Sequence, residues 1–230
     1  MTTLNIPMPR EQLERIVRQV VRERFAARLQ AGEPQLAMAY SPNLVVNISA
    51  RHVHITAEDF ATLFGADQEL TVYRWLYQPG EFAAEQTVTV IGPRRRMIEN
   101  VRILGPLRDY TQLEVSFTDM IALGVEAPVR PSGTHEGTPG CLILGPKGYV
   151  ELSSGVIRAE RHVHMSPADA DAYGFRDGQY VKLRVDSDCA TTFERVLCRV
   201  NPRYLLEVHL DTDEGNACDL VNARAVELLA

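Results

Sequence analysis

One tripeptide, present twice, constrains this chain more than any other feature. His-Val-His stands at 52–54 and again at 162–164, and the two copies take four of the six histidines. Each copy follows an arginine (Arg51, Arg161) and precedes a hydroxyl-led helix start. Residues i and i+2 of an extended strand share a face, so each tripeptide offers two imidazoles to one side, a two-nitrogen chelate. A single His-x-His is more often just the polar face of a strand. Two copies in matching Arg-His-x-His-x-[Ser/Thr] contexts have few purely structural rationales. They predict two related halves, each bringing a histidine pair to one metal-binding site.

The rest of the composition narrows the setting. The 230 residues suffice for two modest domains or one large one, and 45% hydrophobic with 23% charged residues is ordinary for a globular enzyme. No apolar run approaches the roughly 20 residues that span a bilayer, and no secretory signal is expected at the N-terminus. The net charge of −6 argues against a nucleic-acid partner. Cys141, Cys189, Cys198 and Cys218 show no Cys-x-x-Cys spacing, so reduced thiols in a cytosolic setting are expected. The same spacing argues against an all-cysteine structural zinc site, and histidine is the better-placed ligand.

Along the chain, Leu13, Ile16, Val17, Val20, Val21, Phe25 and Leu29 form one helical stripe, predicting an amphipathic helix over 9–29. The Gly/Pro/Ala-containing stretch 31–43 that follows has no period and reads as a linker. A helix uncoupled from its core in this way suits a partner's groove better than its own domain. From Asn43 the pattern changes to short strands. Val45–Ile48 leads into the first tripeptide, and further strands are predicted over 72–76, 87–91, 102–104, 112–117, 180–185, 193–200 and 204–210. Thr56 to Gly65 and Ser166 to Gly174 bound two brief helices. Many strands with only two such helices predict a mainly β chain of small barrels with helical caps.

Two strands offer further ligands. Alternation in Gln112-Leu-Glu-Val-Ser-Phe117 turns Glu114 away from the apolar residues. In Leu206-Glu-Val-His-Leu210 it puts His209 on the polar face with Glu207 and Asp211. Taken alone, Glu114 reads as an exposed strand residue. Together with the four histidines, Glu114 and His209 would complete two three-ligand sites with open positions. Arg102 and Arg108 are placed to grip phosphate or carboxylate. Arg94-Arg95-Arg96 reads as a solvated turn, and His135 as an exposed loop residue, with a loop histidine beside a site as the alternative. No nucleophile elbow, Walker loop or dinucleotide fingerprint occurs, and no cysteine is flanked as a thiolate nucleophile would be.

Five separated segments resemble phosphate propanoyltransferases of the PduL type. They are Asn47-Ile-Ser-Ala-Arg-His-Val-His54, Glu99-Asn-Val-Arg-Ile-Leu-Gly-Pro106, Thr111-Gln-Leu-Glu-Val-Ser-Phe-Thr-Asp119, Glu160-Arg-His-Val-His164 and His209-Leu-Asp-Thr-Asp-Glu-Gly-Asn-Ala217. The resemblance covers about residues 41–230. It implies two β-barrel domains capped by short helices, one from residues 41–50 plus 160–230 and the other from 51–159, after an N-terminal segment of 1–40. It also implies two Zn2+ per chain, one on His52, His54 and Glu114, the other on His162, His164 and His209. Ser49, Ala50, Arg51, Arg102, Leu104, His209 and Asn216 match positions that line the coenzyme A site, and Arg108 matches the phosphate-contacting arginine. The N-terminal segment resembles an encapsulation peptide, which implies contact with shell or core proteins and residence in a bacterial microcompartment, in propanediol degradation. A homodimer or higher oligomer is also implied.

The expected reaction is acyl-CoA (propionyl-CoA foremost) plus phosphate giving acyl phosphate plus CoA. Phosphate, held at the open metal positions and by Arg108, would attack the thioester directly. One rival is a metal-dependent hydrolase of thioesters or phosphoesters using the same ligands. Another is a non-enzymatic shell or scaffold component built around the N-terminal helix.

Overall fold

The computed structural model describes residues 42–230. The amphipathic helix and linker expected before them lie outside the described residues. Fifteen short strands and four short α-helices make the described part mainly β, arranged as two curled half-barrel sheets with helical caps. No described helix is long and apolar enough to cross a membrane.

The six-stranded sheet runs β1 (Val45–Ser49), β14 (Glu207–Asp211), β11 (His162–Met165), β13 (Thr191–Val200), β12 (Tyr180–Asp186), β15 (Ala225–Leu229). The larger sheet runs β7 (Val129–Arg130), β10 (Val156–Ala159), β6 (Gln112–Glu114), β2 (His52–His54), β5 (Met97–Gly105), β4 (Phe82–Ile91), β8 (Cys141–Leu144), β9 (Tyr149–Leu152), with β3 (Val72–Trp75) also on β4. Each tripeptide strand is central in its own sheet. β2 is antiparallel to β6 and parallel to β5, and β11 is antiparallel to β14 and parallel to β13.

The strand period explains this placement. Val53 and Val163, the middle residues of the tripeptides, are fully buried and belong to two different cores. Val53 packs in one with Ile55, Leu63, Ile103 and Leu113, and Val163 in the other with Met165, Leu183, Val208 and Leu210. With each valine fixed in its core, the flanking histidines must face the opposite side.

The chain crosses between the sheets twice at equivalent places. β1 lies in the smaller sheet, but after Ala50 and Arg51 the chain enters the larger one as β2. β10 lies in the larger sheet, but after Glu160 and Arg161 the chain enters the smaller one as β11.

Four strands bearing candidate ligands run straight into helices: α1 (Ala57–Phe64), α2 (Phe117–Leu123), α3 (Pro167–Tyr173) and α4 (Thr212–Ala217). Their N-caps are Thr56, Ser116, Ser166 and Asp211, each accepting from the backbone N–H three residues on. Two of these helices correct the expectation of only two. The strand expected over 112–117 ends at Glu114, because Ser116 and Asp119 form a capping box that starts α2 at Phe117. Asp211 and Glu214 do the same for α4. The strand expected over 204–210 begins only at Glu207, since Tyr204 N–H closes a turn on the Asn201 carbonyl. The arginine run 94–96 is the exposed turn joining β4 to β5.

Candidate metal centre

The two tripeptides carry matching local devices. His52 Nδ1 donates to the Ala50 carbonyl and His162 Nδ1 to the Glu160 carbonyl, each at 2.8 Å. A carbonyl oxygen only accepts, so Nδ1 bears the proton in both rings and Nε2 presents a lone pair. Strand register then supplies a third group. Glu114 on β6 stands opposite His52, and His209 on β14 stands opposite His162. His52, His54 and Glu114 thus form one compact group and His162, His164 and His209 another, with ligand atoms within 4.8 Å of one another in each. His52 Nε2 is 3.2 Å from His54 Nε2 and 3.4 Å from the Glu114 carboxylate.

Glu114 is buried rather than exposed, contrary to its reading in isolation. Its strand has a core on one side and the histidines on the other, so alternation marks a polar interior face, not solvent. Glu114, His162 and His209 line one cleft together with Ser49, Glu160 and Asp211. The two groups therefore share an opening.

The electrostatics favour neutral rings at His54, His162 and His164 and an ionised Glu114. Burial, reinforced by His209, lowers His162 to about 3. Burial with His162 and His209 lowers His164 to about 2, and burial with His52 takes His54 well below its ordinary value. Burial opposes ionisation of Glu114, but His52, Ser132 and Arg108 outweigh it and hold the carboxyl below its usual range. His54 Nδ1 and both ring nitrogens of His164 are buried without a hydrogen-bond partner. Unsatisfied buried nitrogens are costly, and a bound cation would take one of those on His164. One set joins two imidazoles to a carboxylate and the other joins three imidazoles, and both donor sets suit Zn2+ or a similar divalent ion.

Arg108 adds positive charge that reaches His54, Glu114 and His164. Its guanidinium donates to the Tyr110 hydroxyl at 2.9 Å and to Glu81 at 3.3 Å. Arg51 is paired with Asp119 at 2.7 Å, and its counterpart Arg161 with Glu214 at 2.8 Å. In each case the acid is the N3 residue of the helix after the third-ligand strand. Arg102 stands opposite His52 in register, donates to the Ala84 carbonyl at 2.6 Å and lies over the Tyr73 ring. Leu104 follows on the same strand. Ser49 reaches the cleft, and Ala50 contributes its carbonyl to His52. Asn216 is exposed on α4 and does not line the cleft.

Sequence reasoning missed two groups around these clusters and left a third, His135, open. Gln112 is fully buried and donates to Glu114 at 2.7 Å. Gln78 donates to Glu207 at 2.7 Å, across from one sheet to the other. His135, expected to be exposed, is half-buried, with Nε2 3.0 Å from the Gln112 carbonyl and its ring edge-on to Tyr110. Only the alternation that put Gln112 on the face of Glu114 could have flagged the first. The other two arrive through loops. Burial raises the Cys141 thiol to about 12, and burial with Asp177 raises Cys198 to about 11, so neither supplies a thiolate near neutral pH.

Comparison with known proteins gives one consistent result. Residues 45–221 match the family model described as phosphate propanoyltransferase. A phosphate propanoyltransferase of Planctopirus limnophila is 52% identical over 222 residues, covering 96% of this chain and 91% of the relative. The one from Thermotoga maritima is 52% identical over 180 residues, covering 78% and 85%. That of Alkaliphilus metalliredigens is 41% identical over 210 residues, covering 91% and 94%.

Proposed function

The chain belongs to the phosphate propanoyltransferase family, a family of acyltransferases, and from that premise we propose that it interconverts acyl-CoA plus inorganic phosphate and acyl phosphate plus CoA, with propionyl-CoA as the main substrate. The observation that carries the reading is the shared cleft, where Glu114, His162 and His209 from the two three-ligand groups meet beside the charge of Arg108.

His52, His54 and Glu114 would hold one Zn2+, and His162, His164 and His209 the other. When bound, the ions supply fixed positive charge that polarises oxygens in the cleft. Arg108 grips phosphate through its planar fork, while Tyr110 and Glu81 keep the guanidinium oriented. A phosphate oxygen then attacks the thioester carbonyl. The new C–O bond forms as the C–S bond breaks, and CoA leaves as a thiolate that takes a proton from solvent. No protein nucleophile takes part, in keeping with the raised thiols of Cys141 and Cys198. Arg51 and Arg102, with Ser49, Ala50, Leu104, His209 and Asn216, make the CoA site.

The test is CoA release from acetyl-, propionyl- and butyryl-CoA with and without phosphate. Release should need phosphate, match acyl phosphate formation mole for mole and be fastest with propionyl-CoA. It should stop on chelation and return with Zn2+. Thioester cleavage without phosphate would replace this reading with a hydrolase, and a trapped acyl-enzyme would exclude direct attack.

The same proposal covers what lies around the site. Residues 1–40 act as an encapsulation segment for a microcompartment lumen. Deleting them should leave turnover intact and abolish co-purification with shell or core proteins. Residues 41–50 plus 160–230 act as one domain and 51–159 as the other, a division supported by the pairing of β1 with β14. Light scattering should report a dimer or larger assembly.

A further inference from the structure

Beyond the two ligand groups, the halves share one more feature, with its residue types exchanged. Two positions before each third ligand, on the same face of the same strand, sits another buried polar residue. Gln112 precedes Glu114 and stands opposite His54, while Glu207 precedes His209 and stands opposite His164. Gln112 is fully buried and Glu207 is 3% exposed. The pair thus reads Gln then Glu in one half and Glu then His in the other. Each half supplies one carboxylate, as a candidate ligand in the first and beside the ligand in the second.

Both residues are held so that they cannot reorient. Gln112 Nε2 donates to Glu114 at 2.7 Å and to Ser132 at 3.0 Å. Its Oε1 accepts from the Gly133 backbone at 2.8 Å and lies 3.0 Å from His135 Nε2. A flipped amide would set its carbonyl against the Glu114 carboxylate and its NH2 against the Gly133 N–H, so one orientation survives. Glu207 Oε1 accepts from Asn47 at 2.6 Å and Oε2 from Gln78 at 2.7 Å. Gln78 is fixed in turn, donating to the Leu205 carbonyl at 2.9 Å and accepting from its N–H at 3.1 Å. Two amide donors aimed at one side chain require an acceptor-only group, which is a carboxylate. Its Oε2 lies 3.1 Å from His209 Nε2.

We propose that Gln112 and Glu207 are paired positioning residues, Gln112 setting the Glu114 carboxylate for the first metal and Glu207 setting the His209 imidazole and supplying the balancing charge for the second. This rests on the metal reading above. Partners that orient ligands typically govern metal affinity by about 10- to 100-fold. A residue that serves only the fold would affect both sites alike.

The experiment uses full-length single-site proteins. His162→Ala keeps the first site and His52→Ala keeps the second. Zn2+ affinity is measured by competition with a chromophoric chelator, and Co2+ in place of Zn2+ gives a visible spectrum for each site. Gln112→Leu should weaken Zn2+ binding about 10- to 100-fold in the His162→Ala protein and leave the His52→Ala protein unchanged. Glu207→Gln, which keeps the shape of the side chain, should do the reverse. The Co2+ absorption bands should shift only at the matched site. Unchanged affinity at the matched site, or equal weakening of both sites by either variant, overturns the proposal. Failure of the wild-type chain to take up Zn2+ would remove the metal reading itself, and this proposal with it.

Discussion

At the residue scale, the leading histidine of each tripeptide is locked by its own backbone. The Nδ1 bond to a carbonyl two residues back fixes the tautomer, and the next valine, sunk in a core, fixes the direction. The imidazole therefore arrives oriented before any ion binds. Arg108 is set differently, by Tyr110 and Glu81, which use two nitrogens of its fork. Lysine keeps the charge but not the fork. Arg108→Lys is expected to raise the KM for phosphate about tenfold, with the KM for acyl-CoA changed little, read from initial rates at varied phosphate. An unchanged phosphate KM would remove Arg108 from the phosphate site.

At the element scale, the recurring unit is a strand whose last inward-facing polar residue is followed two positions later by a helix cap: His54 and Thr56, Glu114 and Ser116, His164 and Ser166, His209 and Asp211. The cap ends the strand at a fixed point and so fixes the depth at which the ligand sits. Ser116→Ala removes one side of a capping box and should lower the unfolding free energy by about 1 kcal/mol in denaturant titration, with a larger fractional loss of Zn2+ affinity than an exposed control such as Thr192→Ala. The tripeptides and the caps Thr56 and Ser166 were legible because a helix followed at once in recognisable form. The caps Ser116 and Asp211 went unread, since Val115-Ser116-Phe117 continues a β-like alternation and Asp211 sits among other acids. Local pattern favoured a longer strand, whereas the reciprocal box with Asp119 or Glu214 ended it. The burial of Glu114 was not legible either, because it depends on a second sheet closing over the strand's polar face. Gln78 and His135 come from loops, whose course no periodicity encodes.

At the scale of the whole molecule, burying so many imidazoles makes stability depend on protons. His162 and His164 fall to about 3 and about 2 in the folded metal-free chain against 6.5 unfolded, and His54 falls too. Between those values the unfolded chain binds protons that the folded chain refuses. Their stabilisation is therefore fully present above pH 6.5 and declines as pH falls toward the folded values. Asp211 and Glu214, whose carboxyls burial raises, oppose the decline only in the carboxylate range. The Tm of the metal-free protein should thus fall between about pH 6.5 and 5 by differential scanning calorimetry, and Zn2+, which needs the same neutral nitrogens, should bind more weakly over the same range. A flat Tm profile would mean the histidines are hydrated.

The double crossing between sheets sets a timetable as well as a geometry. Among the described residues β1 pairs only with β14, and Asn47 meets Glu207 across 160 positions of chain. During synthesis β1 must therefore wait, its edge bare, until β14 has left the ribosome. Pairing over so long a loop is slow, and an open strand edge invites other chains. The intertwining that brings two ligand groups to one cleft thus leaves the nascent chain open to misassociation until β14 emerges.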